Sequence, residues 1–106
     1  MNTFKNAGSA IGTSRTTLYT CPAATQAVIH ALYISNIDGS NDADVSIEVT
    51  VDGGSTYFHI GKTVPVPADA TLLLDKPINL EAGDILGLTA SVAGDLEVFA
   101  SVLEIS

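Results

Sequence analysis

Residues 45–62, VSIEVTVDGGSTYFHIGK, decide the fold class of this chain. The first half alternates apolar and polar side chains, with valine or isoleucine at positions 45, 47, 49 and 51. This period of two is typical of a half-buried strand, because successive side chains leave a strand on opposite faces. Asp52, Gly53 and Gly54 then supply a turn with positive φ, and the aromatic and β-branched residues that follow favour a second strand. The stretch predicts a β-hairpin that needs more sheet to cover its apolar face.

The rest of the chain repeats this kind of pattern in short segments and contains no convincing helix. Strand-like segments lie at residues 16–20, 27–37, 71–75, 85–92 and 96–105. Residues 63–71, with prolines at positions 65 and 67, indicate an edge strand or a connection, and residues 78–80 lead into a turn at 81–84. Turns recur at a spacing of roughly 8–12 residues, which is typical of an antiparallel sandwich or jelly roll. We therefore predict an all-β fold, a single antiparallel, jelly-roll-like β-sandwich of about eight strands at residues 16–106. Residues 1–15 are small and polar, and we predict a flexible N-terminal arm or a loosely held first strand there.

Two of the predicted strands carry apolar side chains on both faces. In residues 27–37 the alternation groups Val28, Leu32 and Ile34 with His30 on one face, and Ile29 with Tyr33 on the other. The last strand, residues 96–105, has Phe99, Leu103 and Ile105 on the face opposite Leu96, Val98, Ala100 and Val102. Burial on both faces indicates a partner surface in addition to the second sheet. The predicted subunit contacts are Phe4, Ile11, Tyr33, Phe99, Leu103 and Ile105.

Composition and charge exclude several classes of partner. The 106 residues carry four Lys and Arg against twelve Asp and Glu, a formal net charge of −8. The basic residues are scattered, so neither a nucleic acid nor an anionic membrane is an expected partner. The N-terminus lacks the apolar core of a signal peptide, and no apolar run is long enough to span a membrane. Charged residues make up 15% of the chain, below the usual quarter or so, which also favours a surface covered by partner subunits.

No pattern of residues indicates catalysis or a cofactor. His30 and His59 are the only histidines, and neither has the spacing of a catalytic triad or a zinc site. We expect His30, on an apolar strand face, to be a hydrogen-bonded core or interface residue. The single cysteine, Cys21, has no partner for an internal disulfide and is predicted to be buried. We predict no catalytic residues and no cofactor.

The one cluster of potential metal ligands lies in residues 38–44, DGSNDAD. Asp38, Asp42 and Asp44 supply oxygen ligands of the kind that Ca²⁺ prefers. The glycine is misplaced for an EF-hand loop, and Val49 stands at the twelfth position in place of Glu. This favours a solvated polar loop, with a calcium site as the alternative, and we predict no metal ligands.

The order of segments resembles a known group of proteins. The segments TTLYTCPAATQAVIHALYISNID, VTVDGGSTYFHIGK, VPVPADATLLL, DKPINLEAGDILGLTAS and LEVFASVLEIS span residues 16–106. Together they resemble small β-sandwich virion structural proteins of tailed bacteriophages, of the capsid decoration or cement type. The most telling parts are residues 18–23, LYTCPA, and residues 80–84, LEAGD.

The resemblance implies a non-enzymatic protein of the capsid surface, made in the cytoplasm of a bacterial host. It implies a homotrimer that binds the major capsid protein and stabilises the head by bridging capsid subunits. The alternative is a phage tail adaptor or a host-glycan-binding module. That alternative requires Tyr19, Tyr33, Tyr57 and Phe58 to be exposed together on one patch.

Overall fold

The computed structural model describes the whole chain, Met1–Ser106, and contains nine β-strands. The strands are β1 (Asn2–Ala10), β2 (Thr16–Thr20), β3 (Gln26–Asn36), β4 (Ala43–Thr50), β5 (Phe58–Val66), β6 (Thr71–Leu74), β7 (Ile78–Leu80), β8 (Ile85–Ala90) and β9 (Leu96–Ile105). The predicted all-β class is confirmed. The structure has no helix of the length and apolar character needed to cross a membrane.

The strands form two antiparallel sheets, which we call the front and back sheets. The front sheet has the order β1-β9-β3-β6, with β7 paired to β3 beside β6, and the back sheet has the order β2-β8-β4-β5. Both β6 and β7 pair with β3, and residues 75–77, which end in proline, separate them. Counted as one interrupted strand, they give eight strands in a jelly-roll order. The predicted β-sandwich is therefore confirmed.

The hairpin that defines the fold class forms β4 and β5 of the back sheet. Val45 and Ile47 are fully buried against the front sheet, as their alternation predicts. Gly53 has φ 78° in the connecting turn. The return strand begins at Phe58, later than the sequence suggests, because the Asp52 carboxylate accepts hydrogen bonds from two backbone N–H groups in the turn at 3.1 and 3.0 Å.

The segment predicted as a flexible arm or a loosely held first strand forms strand β1 at the edge of the front sheet. All nine residues of Asn2–Ala10 pair in antiparallel register with β9, although most of their side chains are exposed. Ile11 follows directly, donates its N–H to the Leu96 carbonyl oxygen at 2.9 Å and is only 1% exposed. The sandwich therefore includes residues N-terminal to position 16, because backbone pairing holds a segment that has few apolar side chains.

A β-bulge in β3 makes the predicted face assignment of that strand wrong. The register of β3 against β9 shifts between Ile29 and Ala31. One extra residue reverses the alternation of side chains beyond it. Ile29 therefore shares the buried face with Leu32, and His30 is exposed at the bulge instead of lying in the core.

Candidate functional site

The outward-facing side of the front sheet carries two apolar rows that run across its strands. In the first row Phe4 of β1 lies opposite Leu103 of β9, which lies opposite Val28 of β3. Ile105 lies two residues beyond Leu103 in β9, on the same face, and extends this row. We call the outward-facing residues of β1, β9, β3, β6 and β7 the front face.

The second row lies four residues along β1 from the first. Gly8 lies opposite Phe99, Phe99 lies opposite Tyr33, and Tyr33 lies opposite Leu73 of β6. A Cβ atom on Gly8 would lie 3.5 Å from Cδ1 of Phe99. The aromatic ring therefore packs close to the β1 backbone, and a depression of about 400 Å³ remains between β1, β9 and β3.

Several large apolar side chains on the front face are exposed to solvent. The exposed fractions are 81% for Phe4, 49% for Leu73, 46% for Phe99, 41% for Tyr33 and 38% for Ile105. Large contiguous apolar patches are uncommon on soluble monomers and mark interaction surfaces. The front face is therefore the candidate functional site.

Five of the six predicted contact residues lie on the front face, and one does not. Phe4, Tyr33, Phe99, Leu103 and Ile105 share this face. Ile11 is buried in the core, so it cannot contribute area to a subunit contact in this fold. The sequence prediction missed Val28, because the bulge changes its face, and Leu73, because the run TLLL shows no alternation.

The front face is almost free of charge. Among the strand residues whose register places them outward, Glu97 near one end is the only Asp, Glu, Lys or Arg. The chain as a whole has a formal charge of −8. A partner that covers this face therefore meets little electrostatic repulsion and displaces few bound waters from charged groups.

The outer side of the back sheet has a different character, with an ion pair between a buried glutamate and a partly exposed arginine at its centre. Glu48 is 5% exposed, and its two carboxylate oxygens accept hydrogen bonds from Arg15 at 2.9 and 3.4 Å. His59 Nε2 lies 3.5 Å from the same carboxylate. The guanidinium of Arg15 stacks 3.6 Å from the centre of the Tyr57 ring. The hydrogen bond to Glu48 is the main cause that raises the pKa of Arg15.

A glycine lies beneath this ion pair. A Cβ atom on Gly87 would lie 3.1 Å from Cγ of Arg15, so a larger residue would displace the arginine stem by a few tenths of an ångström where it crosses β8. The Arg15 guanidinium balances the charge of the Glu48 carboxylate and stacks on the Tyr57 ring. We interpret the cluster as a structural cover of the back sheet.

The aromatic patch required by a binding module does not form. Tyr33 lies on the front face, whereas Tyr57 stacks on Arg15 at the back sheet. Tyr19 donates a hydrogen bond to the Glu104 carboxylate, and burial, followed by that hydrogen bond, raises its pKa. The tyrosines therefore lie in three separate environments.

The acidic loop does not bring its carboxylates together around one point. The Asp38 carboxylate accepts hydrogen bonds from the N–H groups of Ser40 and Asn41, which lower its pKa. Asp42 accepts a hydrogen bond from the N–H of Ala68 at 3.0 Å. No group of three His, Cys, Asp or Glu residues in the structure is placed to hold a metal ion. The carboxylates of Asp38 and Asp42 instead fix the local backbone.

Comparisons with known proteins identify the fold. No protein-family model matches the chain, and no curated protein matches its sequence. A solved structure of Bacillus endospore appendages, described as a novel family of disulfide-linked pili, is similar with a TM-score of 0.60 and 13% identity, over 100% of this chain and 87% of that one. A chain from the acid-stable capsid of the Helicobacter pylori bacteriophage KHP30 is similar with a TM-score of 0.55 and 13% identity, over 99% and 93% of the two chains. The protein therefore has the β-sandwich fold of subunits found in a capsid and in a pilus.

Proposed function

We propose that this chain is a non-enzymatic structural protein of a bacteriophage virion, a capsid decoration or cement protein. It binds the outside of the head as a homotrimer and stabilises it by bridging neighbouring major capsid subunits. Apolar area that is small in one copy becomes large over the many copies of a capsid. The observation that carries the proposal is the front face, with its two rows of exposed apolar side chains and Glu97 as its one charged strand residue.

The size of the front face fits a stable protein contact. Three of its strands, β1, β9 and β3, are nine to eleven residues long. At about 3.3 Å per residue and about 4.8 Å between strands, four strands cover roughly 30 Å by 19 Å, or about 570 Å² in plan. Because side chains protrude from the sheet, the accessible area is larger than this plan area and approaches the ~800 Å² per partner of a standard interface. Covering this face would therefore be enough to hold a subunit in place.

The fold comparisons support the same class of role. Both similar structures come from assemblies of many protein subunits, a capsid and a pilus. The jelly-roll sandwich supports this use because it leaves one broad sheet face free while its core is complete. The choice of a capsid over a pilus follows the sequence resemblance to phage virion proteins.

The test uses decoration-free heads of the phage that encodes the chain. We expect added protein to co-sediment with these heads and to raise the temperature at which they release DNA. The variant Tyr33→Glu, which places a charge on the front face, should lose both effects. The control Val51→Glu changes a residue that is 58% exposed in the turn between β4 and β5, and it should behave as wild type. Heads that neither bind the protein nor gain heat resistance would refute the proposal.

A further inference from the structure

The two sheets have four edges, and three of them carry features that discourage pairing with another chain. β2 has five residues and a register shift between Thr17 and Tyr19, and β5 contains Pro65 and two register shifts. β6 and β7 are four and three residues long, and residues 75–77 separate them. Short strands, prolines and bulges protect a sheet edge. β1 has none of these, because all nine of its residues pair with β9 without a register shift.

Alternate residues of β1 point their backbone groups away from β9. Ile11 donates its N–H to Leu96, and Ser106 donates its N–H to Met1. Hydrogen-bonded pairs alternate in an antiparallel ladder, so the odd-numbered residues bond to β9. The open edge of β1 therefore carries the N–H and C=O groups of the even-numbered residues from Asn2 to Ala10, which are all exposed and have no strand beside them. An extended strand is what pairs with such a row.

A second copy of β1 fits this edge across a two-fold axis at Asn6. The axis places Asn2 opposite Ala10 and Phe4 opposite Gly8 of the second copy. This is the one antiparallel register that pairs β1 over its full length, and it brings the free groups of the even-numbered residues together in about ten hydrogen bonds. The axis is perpendicular to the sheet, so the front faces of both copies lie on the same side.

The same register joins the apolar rows of the two copies. Phe4 ends the first row at the open edge, and Gly8 ends the second. Phe4 of the second copy, opposite Gly8, lies beside the depression of about 400 Å³ that Gly8, Phe99 and Tyr33 help to line. Phe4 is 81% exposed in a single copy, and an aromatic side chain opposite a glycine at a sheet edge stabilises strand pairing. The backbone and the side chains therefore select the same axis independently, which identifies a second copy as the occupant.

The charge distribution also favours contact at this edge. The chain has a formal charge of −8, but its first acidic residue is Asp38, so β1 lets two acidic molecules approach. Lys5 is the one charged residue of β1 and lies on the inward side, opposite Val102. A lysine can itself discourage edge pairing. In this register it lies opposite Ala7 of the second copy, and the two exposed lysines are diagonal neighbours whose repulsion water and salt screen.

We propose that β1 of one copy pairs with β1 of a second copy, antiparallel about Asn6, to form one continuous sheet. The contact is isologous and closes as a dimer. It presents the two front faces as a single surface of twice the area. The pairing follows from β1 and does not depend on the proposed capsid role. The proposed homotrimer would use a different surface, and β1 pairing would then join neighbouring trimers.

Disulfide trapping in the purified protein tests the register. Asn6→Cys places two thiols opposite each other at the axis, whereas Asn2→Cys places them roughly 26 Å apart along the strands. Cys21 is 1% exposed and does not compete. On oxidation we expect a covalent dimer from Asn6→Cys, monomer from Asn2→Cys, and a dimer from a mixture of Asn2→Cys with Ala10→Cys. No dimer from Asn6→Cys, or an equal yield from Asn2→Cys, would overturn the proposal.

Substitutions on the front face test the side-chain part of the contact. Phe4→Ala and Gly8→Val should each weaken self-association by about tenfold or more in sedimentation over a dilution series, because the contact occurs twice in each dimer. A Cβ atom on Gly8 meets Phe99 at an ordinary contact distance of 3.5 Å, so Gly8→Val should fold, and an unchanged melting temperature would show this. The matched control is Phe58→Ala, because Phe58 is 59% exposed on β5. Self-association of Phe4→Ala equal to wild type, or an equal loss with Phe58→Ala, would overturn the contact.

The two proposals fail separately. A trapped Asn6→Cys dimer from a protein that does not bind phage heads would leave the β1 pairing standing and refute the capsid role. Binding to heads by a protein that cannot be trapped would refute the pairing and leave the capsid role standing.

Discussion

The substitution Phe99→Ala tests two roles of one side chain, its exposed part in docking and its buried part in the stability of the fold. Phe99 is 46% exposed at the centre of the front face. Of the roughly 200 Å² of a free phenylalanine side chain, about 90 Å² is therefore open to solvent. At about 25 cal/mol per Å², a partner that covers this area gains about 2.3 kcal/mol. Each 1.4 kcal/mol or so is a factor of ten in affinity, so Phe99→Ala should weaken binding to decoration-free heads by about 40-fold.

The same substitution has a separate effect on stability. The buried remainder of Phe99, about 110 Å², corresponds to at most about 2.7 kcal/mol of unfolding free energy. Urea unfolding measures this loss, and a co-sedimentation titration measures the affinity. Phe58→Ala is the matched control, because Phe58 is 59% exposed but lies on β5 of the back sheet. An affinity of Phe99→Ala within about threefold of wild type, or an equal loss with Phe58→Ala, would refute the docking role of the front face.

Three further predictions concern polar groups. Asn36→Ala removes a buried amide that donates 2.9 Å hydrogen bonds to two backbone carbonyl oxygens. The unfolding free energy should therefore fall by about 2 kcal/mol and the melting temperature by roughly 10 °C. An unchanged melting curve would contradict this prediction. Desolvation, and then repulsion by Asp38, raise the pKa of Asp95, so its contribution to stability is present at low pH and is lost as the pH rises through the folded-state pKa. Asp95→Asn should therefore raise the melting temperature more at about pH 7 than at about pH 3. An equal increase at the two pH values, or a larger one at about pH 3, would count against the interaction of Asp95 with Asp38. Arg15→Gln leaves the buried Glu48 carboxylate without its main partner, so the melting temperature should fall. It should recover when Glu48→Gln is added. A double variant as unstable as Arg15→Gln would show that the unpaired charge of Glu48 is not the cause.

Local patterns in the sequence predict much of the fold correctly. The alternation at Val45 and Ile47 identifies a strand because one face of β4 packs on the front sheet. The positive φ predicted for the turn after β4 is found at Gly53 and Gly54, because tight turns favour glycine there. The strands β2 and β9 have the predicted bounds. Each of these features is decided by neighbouring residues.

Features that depend on distant partners were not predictable in the same way. The bulge at His30 arises from pairing between β3 and β9, and nothing in the sequence around it breaks the alternation. Strand β1 has few apolar side chains and is held by backbone hydrogen bonds to β9. Arg15 and Glu48 meet because β8 lies between β2 and β4. For the candidate site, the face of β9 was predictable from Phe99 and its alternate neighbours, whereas Val28 and Leu73 join it only through the bulge in β3 and the pairing of β6 with β3.

The central claim is that the front face is the covered one in the assembled particle. Hydroxyl-radical footprinting of purified virions, compared with the free protein, measures this at individual aromatic side chains. We predict that Phe99 and Tyr33 lose most of their oxidation in the virion, while Phe58 on the back sheet stays reactive. Protection of Phe58 with Phe99 and Tyr33 still reactive, or no protection at all, would contradict the account.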